Sequence, residues 1–208
     1  MAVKTKDRIL QAALALFNQL GESNVTTHAI AEAAEISSGN LHYHFPTKKD
    51  LVTTLFEHYE HKMLGLLATP PDRAADLEDM WLLLHLSFEL MGEYEFIFRD
   101  VTDLCQRYSK IDHRFKGITQ VWRETILLMV DDLVSEGLMD ISPSERRSLI
   151  ESMLLISIFW LTYDRLRPNS GDIDPNHAVS QIMTLLSPYL IPEAQNYLRG
   201  LLKRYHQT

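Results

Sequence analysis

The chain is poor in several features whose absence narrows its function. A single cysteine, Cys105, in 208 residues excludes an internal disulfide and fits a reducing cytoplasm. The longest apolar run, Met153 to Tyr163, is about half of what a membrane span needs, so no membrane partner is expected. No apolar segment behind a basic flank opens the chain, so no secretory signal is expected and the reading is cytoplasmic. Positive charge is scarce: 20 Lys and Arg face 28 Asp and Glu, for a net charge of -8. That balance is awkward for a nucleic-acid binder, because phosphates favour Lys and Arg. Phosphate-cradling glycine loops, a nucleophile elbow and paired catalytic carboxylates are missing too. No enzyme and no cofactor are therefore expected. Glu57, His58 and His61 share a helix face, yet no cysteine or further carboxylate cluster joins them, so they read as a solvated face and not a metal site.

What is present is helix. Apolar content of 46% with 23% charged residues suits a soluble globular chain, and its length allows a substantial core. The stretch Thr26 to Phe45, TTHAIAEAAEISSGNLHYHF, carries two short helical stripes, Ile30-Ala31-Ala34 and Leu41-Phe45, around a corner at Ile36. Thr26 or Thr27 can cap the first helix and Ser37 the second, while Pro46 forbids continuation. Two short helices about a tight turn form a helix-turn-helix, whose second helix can lie in a DNA major groove. Ser38 and Gly39 keep that helix slim, and Asn40, His42, Tyr43 and His44 give it a hydrogen-bonding surface. The same pattern is compatible with a helix pair that has no DNA role.

The spaced features from Ile9 to Leu51 resemble the N-terminal domain of the TetR family of bacterial transcriptional regulators. They are the Ala-rich first helix ending in Phe17 and Gly21, Thr27, Ile30-Ala31, Gly39, Leu41, Tyr43, Phe45, Lys48 or Lys49, and Leu51. Two positions depart from the family pattern: Glu35 stands where the family usually has glycine, and Ser38 where many members carry Lys or Arg. Glu35 must then adopt a left-handed backbone or reshape the corner.

The chain reads in order as all-α. Lys4 to Leu20 forms the first helix; Lys4, Lys6 and Arg8 either touch phosphates or form a solvated charged end. Thr47 caps a fourth helix with Asp50 as its partner, running to about Ala68 before Thr69-Pro70-Pro71. Asp72 is expected to cap a helix to Met91, interrupted at Gly92; Phe96 to Tyr108 follows as one helix. Asp112 is expected to start the next, which Gly137 stops. Ser142-Pro143-Ser144-Glu145 is a capping box with Pro at the first helical position, and its helix is apolar nearly all round, so burial on several sides is expected. Pro168 to Gly171 reads as a loop, Asp174-Pro175 opens a helix through Leu186, and Pro192 opens the last.

Domain and function expectations follow. Residues 1–47 form a three-helix helix-turn-helix DNA-binding domain and residues 48–208 a larger helical ligand-binding and dimerisation domain, with 48–69 connecting them. Double-stranded operator DNA is expected to meet Thr26, Thr27, His28, Ser37, Ser38, Gly39, Asn40, His42, Tyr43, His44, Lys48 and Lys49. The resemblance implies a homodimer, most simply a repressor, whose operator binding responds to an unidentified small, largely apolar ligand. Trp81, Phe88, Phe98, Trp122, Met129, Phe159, Trp160 and Tyr163 are the candidate pocket residues, although for each of them singly plain core packing is the commoner role. The helices from Pro143 and Pro175 carry apolar surface enough for a four-helix dimer interface, or for burial within one subunit. The alternative from another class is a helical small-molecule carrier whose helix-turn-helix, altered at Glu35 and Ser38, no longer binds DNA.

Overall fold

Helix boundaries fall where side chains can bond the exposed ends. The computed structural model describes residues 4–68, 73–167 and 174–205. Among them lie α1 (Thr5–Leu20), α2 (Thr27–Ala33), α3 (Ser38–His44), α4 (Lys48–Leu67), α5 (Leu77–Glu93) and α6 (Glu95–Arg99). The series continues with α7 (Val101–Arg107), α8 (Ser109–Ser135), α9 (Pro143–Arg165), α10 (Pro175–Thr184) and α11 (Pro192–Tyr205). Short 3-10 turns cover Glu22–Asn24 and Ser187–Tyr189. The fold is all-α; an isolated bridge between Met139 and Leu190 is the nearest approach to a strand among the described residues.

By packing, the chain divides into two compact units, residues 1–61 with 93–115, and residues 62–92 with 116–208. In the first, Ile9, Ala13 and Phe17 of α1 bury against a core with Ile30, Leu41, Phe45, Val52 and Phe56. Each large apolar side chain buried this fully contributes roughly 1.5–3 kcal/mol. Phe17 meets Phe96 of α6 with ring centroids 5.4 Å apart. Asn18 extends the same seam: its amide donates to the Glu93 carbonyl at 2.9 Å and accepts from the Phe96 N–H at 3.0 Å. The first unit thus recruits chain from the middle of the sequence.

In the second unit, Leu77, Leu84, Phe88 and Met91 of α5 bury with Ile118, Trp122, Ile126 and Val130 of α8. Trp81 lies stacked against Tyr205 of α11, ring centroids 3.6 Å apart. Ion pairs Arg123–Glu151 and Arg146–Asp131 tie α8 to α9. Ser142 and Glu145 form the capping box at the head of α9.

Several expectations change. The fifth helix starts at Leu77, because the Asp76 carboxylate accepts from the Glu78 and Asp79 N–H groups at 2.9 and 3.0 Å and caps it there. Gly92 lies inside the last turn of α5, and the break comes at Tyr94. The single helix expected over Phe96 to Tyr108 is two, separated at Asp100. Phe96, Ile97 and Phe98 are all buried, which three successive residues of one straight helix cannot manage along with Val101 and Leu104 on a single face. α8 begins at Ser109 rather than Asp112, its first turn closed by the Tyr108 carbonyl. The helix from Pro143 buries Leu149, Ile150, Met153, Leu154, Trp160 and Leu161, and leaves Leu155, Phe159 and Tyr163 60%, 40% and 56% exposed. α10, by contrast, spends Ala178, Val179, Ile182 and Met183 inside its own unit. Residues 1–3, Thr69-Pro70-Pro71, the Asp72 cap and the loop from Pro168 to Gly171 lie outside the described residues.

Candidate nucleic-acid interface and ligand cavity

The helix-turn-helix is built by side-chain caps and one strained residue. The Thr26 hydroxyl accepts from the Ala29 N–H at 3.2 Å and starts α2. α2 ends in two reverse bonds, Glu35 N–H to the Glu32 carbonyl and Ile36 N–H to the Ala31 carbonyl, both 3.0 Å. This ending places Glu35 at φ 54°, the left-handed region that glycine adopts without strain. The corner expected to cost a non-glycine residue is therefore kept, with Glu35 accepting the strain. Arg8 of α1 donates to the Ala34 carbonyl at 3.2 Å and braces the corner from outside. The Ser37 hydroxyl then accepts from the Asn40 N–H at 3.2 Å and starts α3.

α3 buries Leu41 and the following Phe45, and turns the rest of its surface to solvent. Ser38, Gly39, Asn40, His42 and Tyr43 are exposed, Tyr43 to 83%. A Cβ on Gly39 would meet only the Ser37 hydroxyl, at 4.0 Å, so nothing inside the protein requires glycine there. His42 Nδ1 lies 3.2 Å from the Pro46 carbonyl, and the half-buried His44 ring stands edge-on to Tyr43 at 5.2 Å. His28 is exposed and Thr27 half-buried at the start of α2.

Two neighbouring lysines part company at the head of α4. Thr47 and Asp50 form the expected reciprocal cap, Thr47 N–H to the carboxylate at 2.9 Å and Asp50 N–H to the hydroxyl at 3.2 Å. Lys49 is exposed. Lys48 turns inward, its Nζ 3.0 Å from the Glu22 carboxylate and 5.8 Å from the centre of the Phe17 ring. Of the twelve residues expected to face DNA, Lys48 is thus the one whose charge is spent inside the protein. Glu22 itself is 5% exposed and also holds Arg107 at 2.6 Å and the Tyr108 hydroxyl at 2.9 Å. Burial alone would raise its carboxyl, but the hydrogen bonds from Lys48, Tyr108 and Arg107 outweigh that and hold it below the ordinary value. Burial, reinforced by the bond to Glu22, pushes the Tyr108 hydroxyl up to about 12. Glu22 escaped the sequence reading because its partners lie at positions 107 and 108, far beyond any local spacing.

The eight pocket candidates are not gathered in one place. Trp81 and Phe88 are buried in α5, Phe98 belongs to the first unit, and Trp160 packs on Tyr163 and His177. Phe159 and Tyr163 face solvent. Trp122 is buried, and its Nε1 has no hydrogen-bond partner among the described residues. Met129, alone of the eight, lines a cavity of about 610 Å³ in the second unit, together with Leu82, Leu86, Leu128, Arg73 and Asp132. Arg73 pairs with Asp79 at 2.7 Å, and Asp132 accepts from the Ala75 N–H at 2.9 Å, so the cavity has a leucine wall and a polar end. Leu82 and Leu86 form a second, outward stripe on α5, one turn apart; that spacing was readable in the sequence beside the stronger inward stripe. Glu57, weighed as a metal ligand, pairs with Lys110 at 3.1 Å and Arg114 at 2.9 Å. No helix among the described residues is long and apolar enough to cross a membrane.

Known proteins share this arrangement. A family profile described as bacterial regulatory proteins of the tetR family matches residues 9–55, and one described as a bacterial transcriptional repressor matches residues 58–198. The probable HTH-type transcriptional regulator YttP of Bacillus subtilis (strain 168) is 30% identical over 112 residues, 54% of this chain and 54% of that protein. The IcaR negative transcriptional regulator of the biofilm operon icaADBC in Staphylococcus epidermidis is 24% identical over 106 residues, 51% of this chain and 50% of that one. The chain thus spans about half the length of the curated relatives it matches. The crystal structure of a TetR-family transcriptional regulator from Marinobacter aquaeolei VT8 is 30% identical, with a TM-score of 0.87 over 98% of this chain and 99% of that one.

Proposed function

The chain belongs to the TetR family of bacterial transcriptional regulators, and from that premise we propose that it is a cytoplasmic, homodimeric, ligand-responsive repressor that binds operator DNA through α3. The observation that carries the reading is the exposed face of α3. Seven residues long, it buries only Leu41 and holds a glycine that internal packing does not require. A surface that slim and polar fits close approach to base edges in a major groove. Ser38, Asn40 and His42 are assigned to base edges, and Thr27, Tyr43, His44 and Lys49 to phosphates. Lys48 positions the domain through Glu22 in place of the phosphate contact expected of it. The net charge of -8 is no obstacle, since placement of the few contacts decides affinity. Reading is assigned to residues 1–47, and ligand binding and dimerisation to 48–208. No catalytic role and no cofactor form part of the proposal.

Dimerisation is assigned to the apolar face of α9, where Leu155, Phe159 and Tyr163 stand exposed. Two copies would then present two α3 helices, and DNA requires them about 34–36 Å apart. A small, largely apolar molecule is assigned to the leucine-walled cavity beside Met129. By favouring one spacing it would lower operator affinity in proportion to its differential binding.

The test is capture of sheared genomic DNA from the source organism on the immobilised protein, with sequencing of retained fragments at rising salt. The expected result is a few fragments sharing a palindrome, with affinity falling steeply as salt rises. Lys49→Ala should shrink that salt slope by about one contact. No retention, or retention without salt dependence, would favour the carrier reading.

A further inference from the structure

Of the three side chains assigned to base edges, two leave their polarity open. The Ser38 hydroxyl and the Asn40 amide can each both donate and accept. His42 differs, because the fold decides which of its ring nitrogens carries the proton. Pro46 follows the end of α3, and its carbonyl oxygen lies 3.2 Å from His42 Nδ1. A carbonyl oxygen only accepts, so this bond needs the proton on Nδ1. A neutral imidazole has a single ring proton, and Nε2 is then left with a bare lone pair. His42 is exposed, and Nε2 is the nitrogen at the far edge of its ring. α3 also contains no Lys or Arg, the residues that most often read guanine by donating to its O6 and N7.

We propose that His42 is a specificity-determining residue whose Nε2 accepts a hydrogen bond from the exocyclic amino group of a base. Each operator half-site then carries adenine or cytosine, and not guanine or thymine, at one position on the strand that His42 approaches. The chemistry of the major groove selects that class. Adenine N6 and cytosine N4 are its hydrogen-bond donors, whereas guanine N7 and O6 and thymine O4 accept. Set against an acceptor, Nε2 would bring two lone pairs together and leave both buried without a partner. Every base pair holds one amino base, so His42 distinguishes which strand carries it and not A·T from G·C. The inference rests on the reading of α3 as the helix that enters the groove. It adds a base class, which the exposure of α3 alone does not supply.

Two measurements test it. Nitrogen-15 resonances of the histidine rings are recorded in the free protein at about pH 8, where an ordinary imidazole is neutral. His42 should be protonated at Nδ1 and bare at Nε2, the reverse of what an imidazole free in water favours. Randomised duplexes are then selected at the same pH by wild type and by His42→Ala. Wild type should show one position per half-site where adenine and cytosine bind about tenfold more tightly than guanine and thymine. His42→Ala should level that position and leave the salt dependence of binding unchanged, since no phosphate contact is lost. A proton on Nε2 would overturn the proposal, as would a split between A·T and G·C in place of amino and keto bases. So would a preference that survives in His42→Ala. Selection of no sequence by wild type would overturn it together with the operator reading, whereas a shared palindrome lacking the amino-base position overturns this proposal alone.

Discussion

Two helices each leave a face that their own unit does not use, and the faces differ in kind. α3 offers Ser38, Gly39, Asn40 and Tyr43, small or hydrogen-bonding groups on a helix of seven residues. α9 offers Leu155, Phe159 and Tyr163, large and mainly apolar, on a helix of 23. Apolar surface in water is a standing cost, relieved when another apolar surface covers it. A slim polar face carries no such cost and gains only from a partner rich in acceptors and donors. The first therefore suits DNA and the second a copy of the same helix. Their supports differ as well. α9 is held by its capping box and by ion pairs to α8, whereas the unit under α3 is joined through the buried carboxylate of Glu22.

The widest expected effect breaks the support under α3. Glu22→Ala leaves Lys48, Arg107 and Tyr108 without their shared acceptor; the two cations are partly exposed and can turn to water, so the loss is mainly that of the buried Tyr108 hydroxyl's partner, about 1–3 kcal/mol. Calorimetry should show the first unit melting separately and earlier, while α9 and its neighbours keep their transition. A single unshifted transition would mean that Glu22 is not the tie. The same carboxylate predicts a pH dependence. Its native pKa lies below the unfolded value, so its stabilisation is complete above the ordinary carboxylate range and is lost as pH falls through the depressed value. Glu22→Gln should flatten the acid limb of the stability profile.

A narrower effect separates the two faces directly. Phe159→Glu puts a charge on the exposed apolar stripe of α9, within the second unit. A residue central to an interface is worth about 2 kcal/mol or more, so dimer affinity should fall about thirtyfold or further in sedimentation equilibrium. An association constant within twofold of wild type would remove α9 from the interface.

The smallest effect carries opposite signs in stability and function. Gly39→Ala meets only an ordinary contact with Ser37 and should stabilise α3 by up to about 1 kcal/mol. Operator affinity should nevertheless fall, because the added methyl occupies the space α3 keeps for the groove. A variant both more stable and equally tight on DNA would show that no partner comes close to that position.

Much of this was legible in the sequence because helix ends and amphipathic stripes are local. Thr26, Ser37, Thr47 with Asp50, and Ser142 with Glu145 all cap where their types and spacing place them. The left-handed turn at Glu35 is one of the two outcomes that the family resemblance implied for a residue standing in place of glycine. The pocket was not legible, since an aromatic residue at helical spacing reads alike whether it fills a core or lines a cavity. Met129 lines the cavity, whereas Trp81 spends its ring on Tyr205.

Sequence alone determined the all-α class, the helix-turn-helix and its polar second helix, because those depend on neighbours within a few residues. Tertiary structure decided that Lys48 serves Glu22 while Lys49 faces solvent, that residues 93–115 pack with the first unit, and that the Tyr59 hydroxyl lies buried with no partner among the described residues. Each of these depends on chain brought together from tens of residues away, and no local pattern encodes which distant group will arrive.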